Sequence, residues 1–365
     1  MSAKQGWDIF CKVVDNFGDI GVSWRLARQL RQTHNLTVKL WVDDLQVAQR
    51  MMPAIDINKS SQVVDEVTVY HWHAHADFSQ PADVVIESFA CELPVPYLAA
   101  MQAQSTTWIN LEYLSAEPWV ADFHAKASPQ NNGLIRYFYF PGFTENTGGL
   151  LSFGMHSNVL SNTKQLFSKP PKSAFKISLF CYPHAPIHDL LRVMEKGSTP
   201  IHCYVPATSI LPQVASYFAL PNLVVGQTLQ SANLTVEVLP FLSQDNYDAL
   251  LAHCDINFVR GEDSWIRAIW ASKPFIWQPY FQEDHTHMQK LNAFIKQFYA
   301  NAPTDIVSVI QTMHESWVCN ALSPQVWQGY LAELEGIKSV TQDASQALQQ
   351  QSDLASKLVI FCNNL

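Results

Sequence analysis

Short apolar runs recur along this chain, each ending in a polar or glycine-containing turn, and most lead into a helical pattern. The first run, residues 7–14, ends in Asp15-Asn16-Phe17-Gly18-Asp19-Ile20-Gly21. Beyond it Trp24, Leu26, Ala27 and Leu30 fall on one side of a helix over residues 22–33. Residues 36–42, 67–72, 82–89, 106–114 and 136–140 read as further strands, and 82–89 is almost wholly apolar, as a strand covered on both faces must be. The rhythm restarts with strands at 175–180, 201–205, 234–239, 256–259 and 275–277 and helices at 187–194, 244–254 and 286–298. Parallel sheets with helices on both faces satisfy such alternation, so the class is α/β.

The chain has 365 residues, enough for two domains of ordinary size. Gly148-Gly149 and residues 157–173, with Lys169-Pro170-Pro171-Lys172, read as a polar connection. The expected division is an N-terminal Rossmann-like domain over 1–155, a linker over 156–173, a C-terminal Rossmann-like domain over 174–340, and a helical tail over 341–365 that returns to the first domain. Two such halves imply a cleft, and open α/β sheets bind ligands beyond the C-terminal ends of their strands. Residues 15–21 then form one wall and residues 260–264 the other.

A net charge of −9 argues against nucleic acid as the main partner and favours a basic protein surface. The seven cysteines are dispersed with no C-x-x-C pair, and read as reduced thiols of a cytoplasmic protein. No apolar segment suits a signal peptide or a membrane span.

The richest stretch is Phe258-Val259-Arg260-Gly261-Glu262-Asp263-Ser264-Trp265-Ile266-Arg267, a strand that turns at a glycine into a helix. The free N–H groups of such a turn, with the helix dipole behind them, favour an anion, and Arg260 adds a charge suited to phosphate. Glu262 and Asp263 in the same turn suit sugar hydroxyls instead, so the mixture points to a nucleotide sugar. The plainer reading makes Asp263 or Ser264 a helix cap and Arg260 a surface ion pair. In the first turn, Asp15 and Asp19 flank a glycine at a strand end and suit a cationic group, or else cap and solvate. That turn is not G-x-G-x-x-G. His71, His73 and His75 would share one face of a strand, but no carboxylate or cysteine stands nearby to complete a zinc site, and no metal is expected. Asp284-His285-Thr286-His287 opens a helix at another strand-to-helix turn. Glu87-Ser88 and Glu112-Tyr113 end strands of the first half, where either can line its wall of the cleft.

Three segments together resemble the elongation factor P arginine rhamnosyltransferase family, EarP. They are residues 15–21, Phe140-Pro141-Gly142-Phe143 with Thr147-Gly148-Gly149, and Arg260-Gly261-Glu262-Asp263-Ser264 with Arg267-Ala268-Ile269-Trp270-Ala271-Ser272-Lys273-Pro274-Phe275. The resemblance implies a GT-B glycosyltransferase of two Rossmann-like domains facing across a cleft. It implies transfer of rhamnose from dTDP-β-L-rhamnose to one arginine of elongation factor P, with inversion and without a metal; no other cofactor is expected, and the chain is expected to act as a monomer. By matching motifs, Phe180, Tyr182, Gln244, Tyr247, Arg260, Glu262, Asp263 and Ser264 fall at the donor site. The segment Asp15, Asn16, Phe17, Gly18 and Asp19 falls at the acceptor arginine, with Asp19 the general base and Asp15 beside it.

The chemistry suits those residue types. A guanidinium with a pKa above about 12 is a poor nucleophile and needs carboxylates to orient it and take its proton. Without a metal, the leaving diphosphate falls to Arg260, the helix N–H groups and the Ser264 hydroxyl. Glu262 either accepts from sugar hydroxyls or helps set the acceptor's charge. Phe180 or Tyr182 can stack on thymine, with Gln244 reading an edge, unless Phe180 is simply core. Two other readings remain. One is a nucleotide-dependent oxidoreductase on a Rossmann scaffold, which the missing glycine fingerprint opposes. The other is a non-catalytic binder of a basic loop.

Overall fold

Both halves of the chain share one strand order through five parallel strands; the first adds a sixth, and antiparallel strands flank the edges. The computed structural model describes residues 4–14, 17–152, 167–168, 170–282, 284 and 286–365. It divides into two units, Met1–Met155 with Gln350–Leu365, and His156–Gln349.

The first unit runs β1 (Gly6–Cys11), α1 (Gly18–His34), β2 (Thr37–Val42), α2 (Leu45–Met51), β3 (Ser61–Val64), β4 (Val67–His71), β5 (Val84–Ser88), α3 (Val95–Gln102), β6 (Thr107–Leu111), α4 (Val120–Phe123), β7 (Lys126–Pro129) and β8 (Ile135–Tyr139). Its sheet order is β3-β4-β2-β1-β5-β6-β8-β7. The six inner strands are parallel, while β3 and β7 are antiparallel hairpin partners at the edges. Without those edges the order is that of a Rossmann sheet, and its direction of growth reverses between β1 and β5. Burial on both faces explains the apolar, β-branched run Val84-Val85-Ile86. In this core Phe10 stacks on Trp41 at 5.4 Å and meets Tyr97 edge-on at 4.6 Å.

The second unit runs β9 (Phe175–Leu179), α5 (Ile187–Lys196), β10 (Ile201–Pro206), α6 (Leu211–Tyr217), β11 (Thr228–Ser231), β12 (Leu234–Leu239), α7 (Gln244–His253), β13 (Ile256–Arg260), α8 (Asp263–Ala271), β14 (Phe275–Gln278), α9 (Thr286–Phe298), α10 (Thr304–Val318), α11 (Pro324–Ala332) and α12 (Leu334–Gln349). Its order is β11-β12-β10-β9-β13-β14, parallel except at β11, and it reverses between β9 and β13. Behind β13, Trp265 of α8 stacks on Trp277 of β14 at 3.7 Å, and Phe294 of α9 closes on Trp265 edge-on at 4.8 Å.

Two sequence expectations change. Gly148-Gly149 is not linker but part of the first unit, where the C-terminal segment docks. Gly149 has φ +77, and a Cβ there would lie 2.7 Å from the Ser352 carbonyl oxygen. The tail also divides later than expected. Residues 341–349 belong to α12 of the second unit, and the chain is in the first unit from Gln350. There α13 (Leu354–Asn363) is tied down by Lys357, whose Nζ donates to the carbonyls of Glu145 at 3.0 Å and Thr147 at 2.8 Å. Most of the expected linker lies outside the described residues. Among the described residues no helix is long and apolar enough to cross a membrane.

Candidate functional site

The point where β9 and β13 part collects most of the expected donor residues. Arg260 is the last residue of β13 and is 9% exposed. Its Cζ lies 4.7 Å from the ring centroid of Phe180 and 4.4 Å from that of Tyr182, both just beyond β9. Two cation–π contacts hold the guanidinium, so Arg260 is not the surface ion pair of the plainer reading. Neither is Phe180 plain core, for it is half-buried and faces Arg260. Tyr247 meets the Phe180 ring edge-on at 5.3 Å. Burial of the Tyr247 hydroxyl pushes its pKa up. Gln244 opens α7 and is 5% exposed.

Gly261 has φ +59, the left-handed conformation that lets the chain turn from β13 into α8 within two residues. Glu262 occupies the N-cap position without a side-chain cap bond, and Asp263 is in the first turn. Both are half-buried. The expected roles of Asp263 or Ser264 as cap therefore do not hold. The Ser264 hydroxyl bonds the backbone of Arg260 on both sides. It accepts the Arg260 N–H at 3.0 Å and donates to the Arg260 carbonyl, four residues back, so it locks the turn that aims the arginine.

Gln278 is a residue the sequence did not reveal. It ends β14, is 1% exposed, and its side-chain oxygen accepts the Tyr182 N–H at 2.8 Å, while its carbonyl accepts the Gly261 N–H at 3.1 Å. Trp277 Nε1 donates to the Gly261 carbonyl at 2.8 Å. The end of β14 thus fixes both the loop after β9 and the turn after β13. No local pattern marks such a role; only the adjacency of three strands creates it.

The other reversal, between β1 and β5, carries Asp19. Asp19 does not flank the turn as expected; Phe17 is the N-cap and Asp19 lies in the first turn of α1, 2% exposed. Helix α1 starts earlier than residue 22 because Gly18, Asp19 and Ile20 already have helical neighbours, as in the Gly21 N–H to Phe17 carbonyl bond of 3.0 Å. Oδ2 of Asp19 accepts the Val14 N–H at 2.9 Å and Oδ1 accepts the Tyr113 hydroxyl at 3.2 Å. Asp15 and Asn16 lie outside the described residues. Of the other strand ends, Glu87 is bound by Trp108 Nε1 at 3.0 Å and Arg136 at 3.4 Å, and Ser88 meets Ser23 at 3.1 Å.

The three histidines do not share a strand face, because β4 ends at His71 and His73 lies in the following turn. His73 Nδ1 is spent accepting the His75 N–H at 3.1 Å. Among the described residues no cluster of His, Cys, Asp or Glu is arranged to hold a metal. Asp284 accepts the Thr286 N–H at 3.1 Å at the start of α9, as a cap does, and His285 lies outside the described residues.

The profile of the family described as Elongation-Factor P (EF-P) rhamnosyltransferase EarP matches residues 7–363. The chain is 40% identical to a protein-arginine rhamnosyltransferase of Pseudomonas putida KT2440 over 99% of both chains. It is 40% identical to one of Pseudomonas aeruginosa PAO1 over 97% of this chain and 98% of that one. A solved structure bearing on EarP-mediated arginine glycosylation of translation elongation factor EF-P is 29% identical, with a TM-score of 0.71 over 99% of both chains. MurG of Acinetobacter baumannii shares the fold alone, at 12% identity and a TM-score of 0.51 over 99% of this chain and 100% of that one. With two Rossmann-like sheets of the GT-B type and a match that spans nearly its whole length, the chain belongs to the EarP family of protein-arginine rhamnosyltransferases.

Proposed function

We propose that the chain moves rhamnose from dTDP-β-L-rhamnose to an arginine side chain of elongation factor P, inverting the anomeric carbon. The observation that carries the donor half is Arg260, held over two aromatic rings at a positive-φ glycine that opens α8. A guanidinium fixed in advance, beside the N–H groups of a helix start, is the arrangement that stabilises a departing diphosphate. Glu262 and Asp263, half-buried at the same turn, suit the sugar hydroxyls. Tyr247, whose ring meets Phe180, and Gln244, three residues before it at the start of α7, suit the nucleoside end.

The acceptor half rests on Asp19, with Asp15, Asn16, Phe17 and Gly18 in the same segment. A guanidinium nitrogen attacks C1 of the sugar as the bond from C1 to the diphosphate oxygen breaks. Asp19 takes the proton lost by that nitrogen, and dTDP leaves with its charge met by Arg260. General base assistance of this kind is worth about 10²–10⁴-fold. Asp19 also bears on the oxidoreductase alternative. Its carboxylate sits in the first turn of α1, where it already answers the helix dipole and repels a pyrophosphate. Because Arg260 supplies the positive charge, transfer is expected to persist in EDTA.

The test is to mix the purified chain, dTDP-rhamnose and elongation factor P and follow intact mass. One added deoxyhexose on an arginine is expected. No gain, or an equal gain with UDP-glucose, overturns the reading. Asp19→Asn should abolish transfer while dTDP-sugar binding survives; loss of binding would move Asp19 to the donor side.

A further inference from the structure

Beyond the last residues of β5 and β6, the first unit spends backbone strain on the placement of one ring. Phe89, Ala90 and Glu92 have φ of +57, +53 and +60, three non-glycine residues in the left-handed region within four positions. Such conformations persist only where the surroundings impose them, and they gather at functional sites. Here the surroundings are explicit. The Phe89 N–H donates to the Leu111 carbonyl at 2.7 Å, one more bond of the β5–β6 ladder. The Ala90 N–H donates to the Asn110 side chain at 3.0 Å, and the Glu92 N–H to the Glu87 carboxylate at 3.0 Å. The outcome is that the Phe89 ring lies flat on Tyr113, with centroids 4.3 Å apart and planes 14° apart.

Tyr113 is 43% exposed, and the Phe89 ring braces one of its faces. Its hydroxyl is the donor to Asp19 Oδ1, across 94 residues of sequence. The carboxylate torsion of an aspartate is intrinsically broad, so its plane is set by partners. Asp19 has the Val14 N–H on one oxygen and Tyr113 on the other. Both of these donors are neutral, and each fixes one oxygen of the carboxylate.

We infer that Phe89 and Tyr113 form an aromatic bracket that sets the plane of the Asp19 carboxylate toward the acceptor guanidinium, which makes both of them positioning residues for the transfer. This rests on the reading of Asp19 as the base. Phe89 touches no reacting atom; it acts through Tyr113, and Tyr113 through Asp19. A glycine at position 89 would accept φ +57 without strain, so the substitution Phe89→Gly separates the two uses of that residue. It relieves the backbone while removing the brace.

The experiment uses the full chain, elongation factor P and dTDP-rhamnose, with initial rates taken over a range of donor concentrations. Tyr113→Phe and Phe89→Gly should each lower kcat by about tenfold, the scale of a modest misorientation, with donor KM unchanged. Phe89→Tyr, which keeps the ring, should retain the parent rate. The double variant Phe89→Gly/Tyr113→Phe should be no slower than the worse single one, since the two act as a unit. Parent-like kcat in Tyr113→Phe alongside an inactive Asp19→Asn overturns the bracket and leaves the base intact. A change confined to KM, or losses that multiply in the double variant, also overturns it. Full activity in Asp19→Asn, or no transfer by the parent chain, removes the underlying reading and the bracket with it. Should a melt show Phe89→Gly unfolded, Tyr113→Phe, which deletes a single hydroxyl, decides alone.

Discussion

The two sheets reverse their order at equivalent places, β1/β5 and β9/β13, and they present opposite charges there: Asp19 in one unit and Arg260 in the other. The way each charge is held differs too. Asp19 is oriented by hydrogen bonds from the Val14 N–H and the Tyr113 hydroxyl. Arg260 is oriented by the faces of Phe180 and Tyr182. A carboxylate has directional lone pairs and is steered by donors, whereas a planar delocalised cation is steered by π faces and keeps its N–H fork for a ligand. One scaffold thus supplies a proton acceptor or an anion clamp according to the residues set at its strand ends.

The comparison breaks first at Arg260. Arg260→Ala should cost about 10²–10³-fold in kcat/KM and weaken dTDP binding, measured by rates and by calorimetry. Lysine should not rescue it, because a point charge neither spreads over two rings nor presents a fork. If Arg260→Ala bound dTDP normally and Asp19→Asn did not, the division of labour between the units would be reversed.

Acid compares the units next, through one histidine in each. Burial lowers the pKa of His314, on α10, to about 4, and its Nδ1 bonds the Ile310 carbonyl at 2.9 Å. Burial and then the Lys357 charge lower that of His124 to about 4 as well, and its Nδ1 accepts the Phe140 N–H at 3.1 Å. Since these folded values lie below the ordinary imidazole value of about 6.5, the unfolded chain takes up protons first as pH falls. Their stabilisation is complete above pH about 6.5 and is lost on the way down to about 4. The loss is of order 3 kcal/mol for fully buried His314 and smaller for half-buried His124. Thermal melts across that range should fall steeply, and His314→Phe should flatten most of the slope; an unchanged slope would count against it.

The smallest effect is at the turn that aims Arg260. Gly261→Ala places a Cβ at φ +59 and should cost about 1–2 kcal/mol of stability, read as a lower melting temperature, with weaker dTDP binding beside it. Equal stability would mean that the turn relaxes without strain.

Alternating apolar runs were enough to forecast two parallel sheets, because buried central strands leave a strong apolar signal. The edge strands β3, β7 and β11 escaped. They are four residues each, mostly polar or exposed, and take their conformation from a hairpin partner rather than from their own composition. At the site, Arg260 and Gly261 were legible as a turn with a job. What Ser264 does was not, because a hydroxyl reads alike whether it meets a ligand or the backbone four residues back. Gln278 and Tyr113 were illegible as partners of Tyr182 and Asp19, since those contacts span 96 and 94 residues and exist only once strands are side by side.

The docking of α13 has a consequence for how the protein is made. The Lys357 bond to Thr147 spans 210 residues, and everything between belongs mainly to the other unit. A ribosome therefore delivers the whole of the arginine-bearing sheet before the aspartate-bearing sheet has its final helix. Until then the surface of α1 that α13 covers waits uncovered. The half of the molecule translated first is the half completed last.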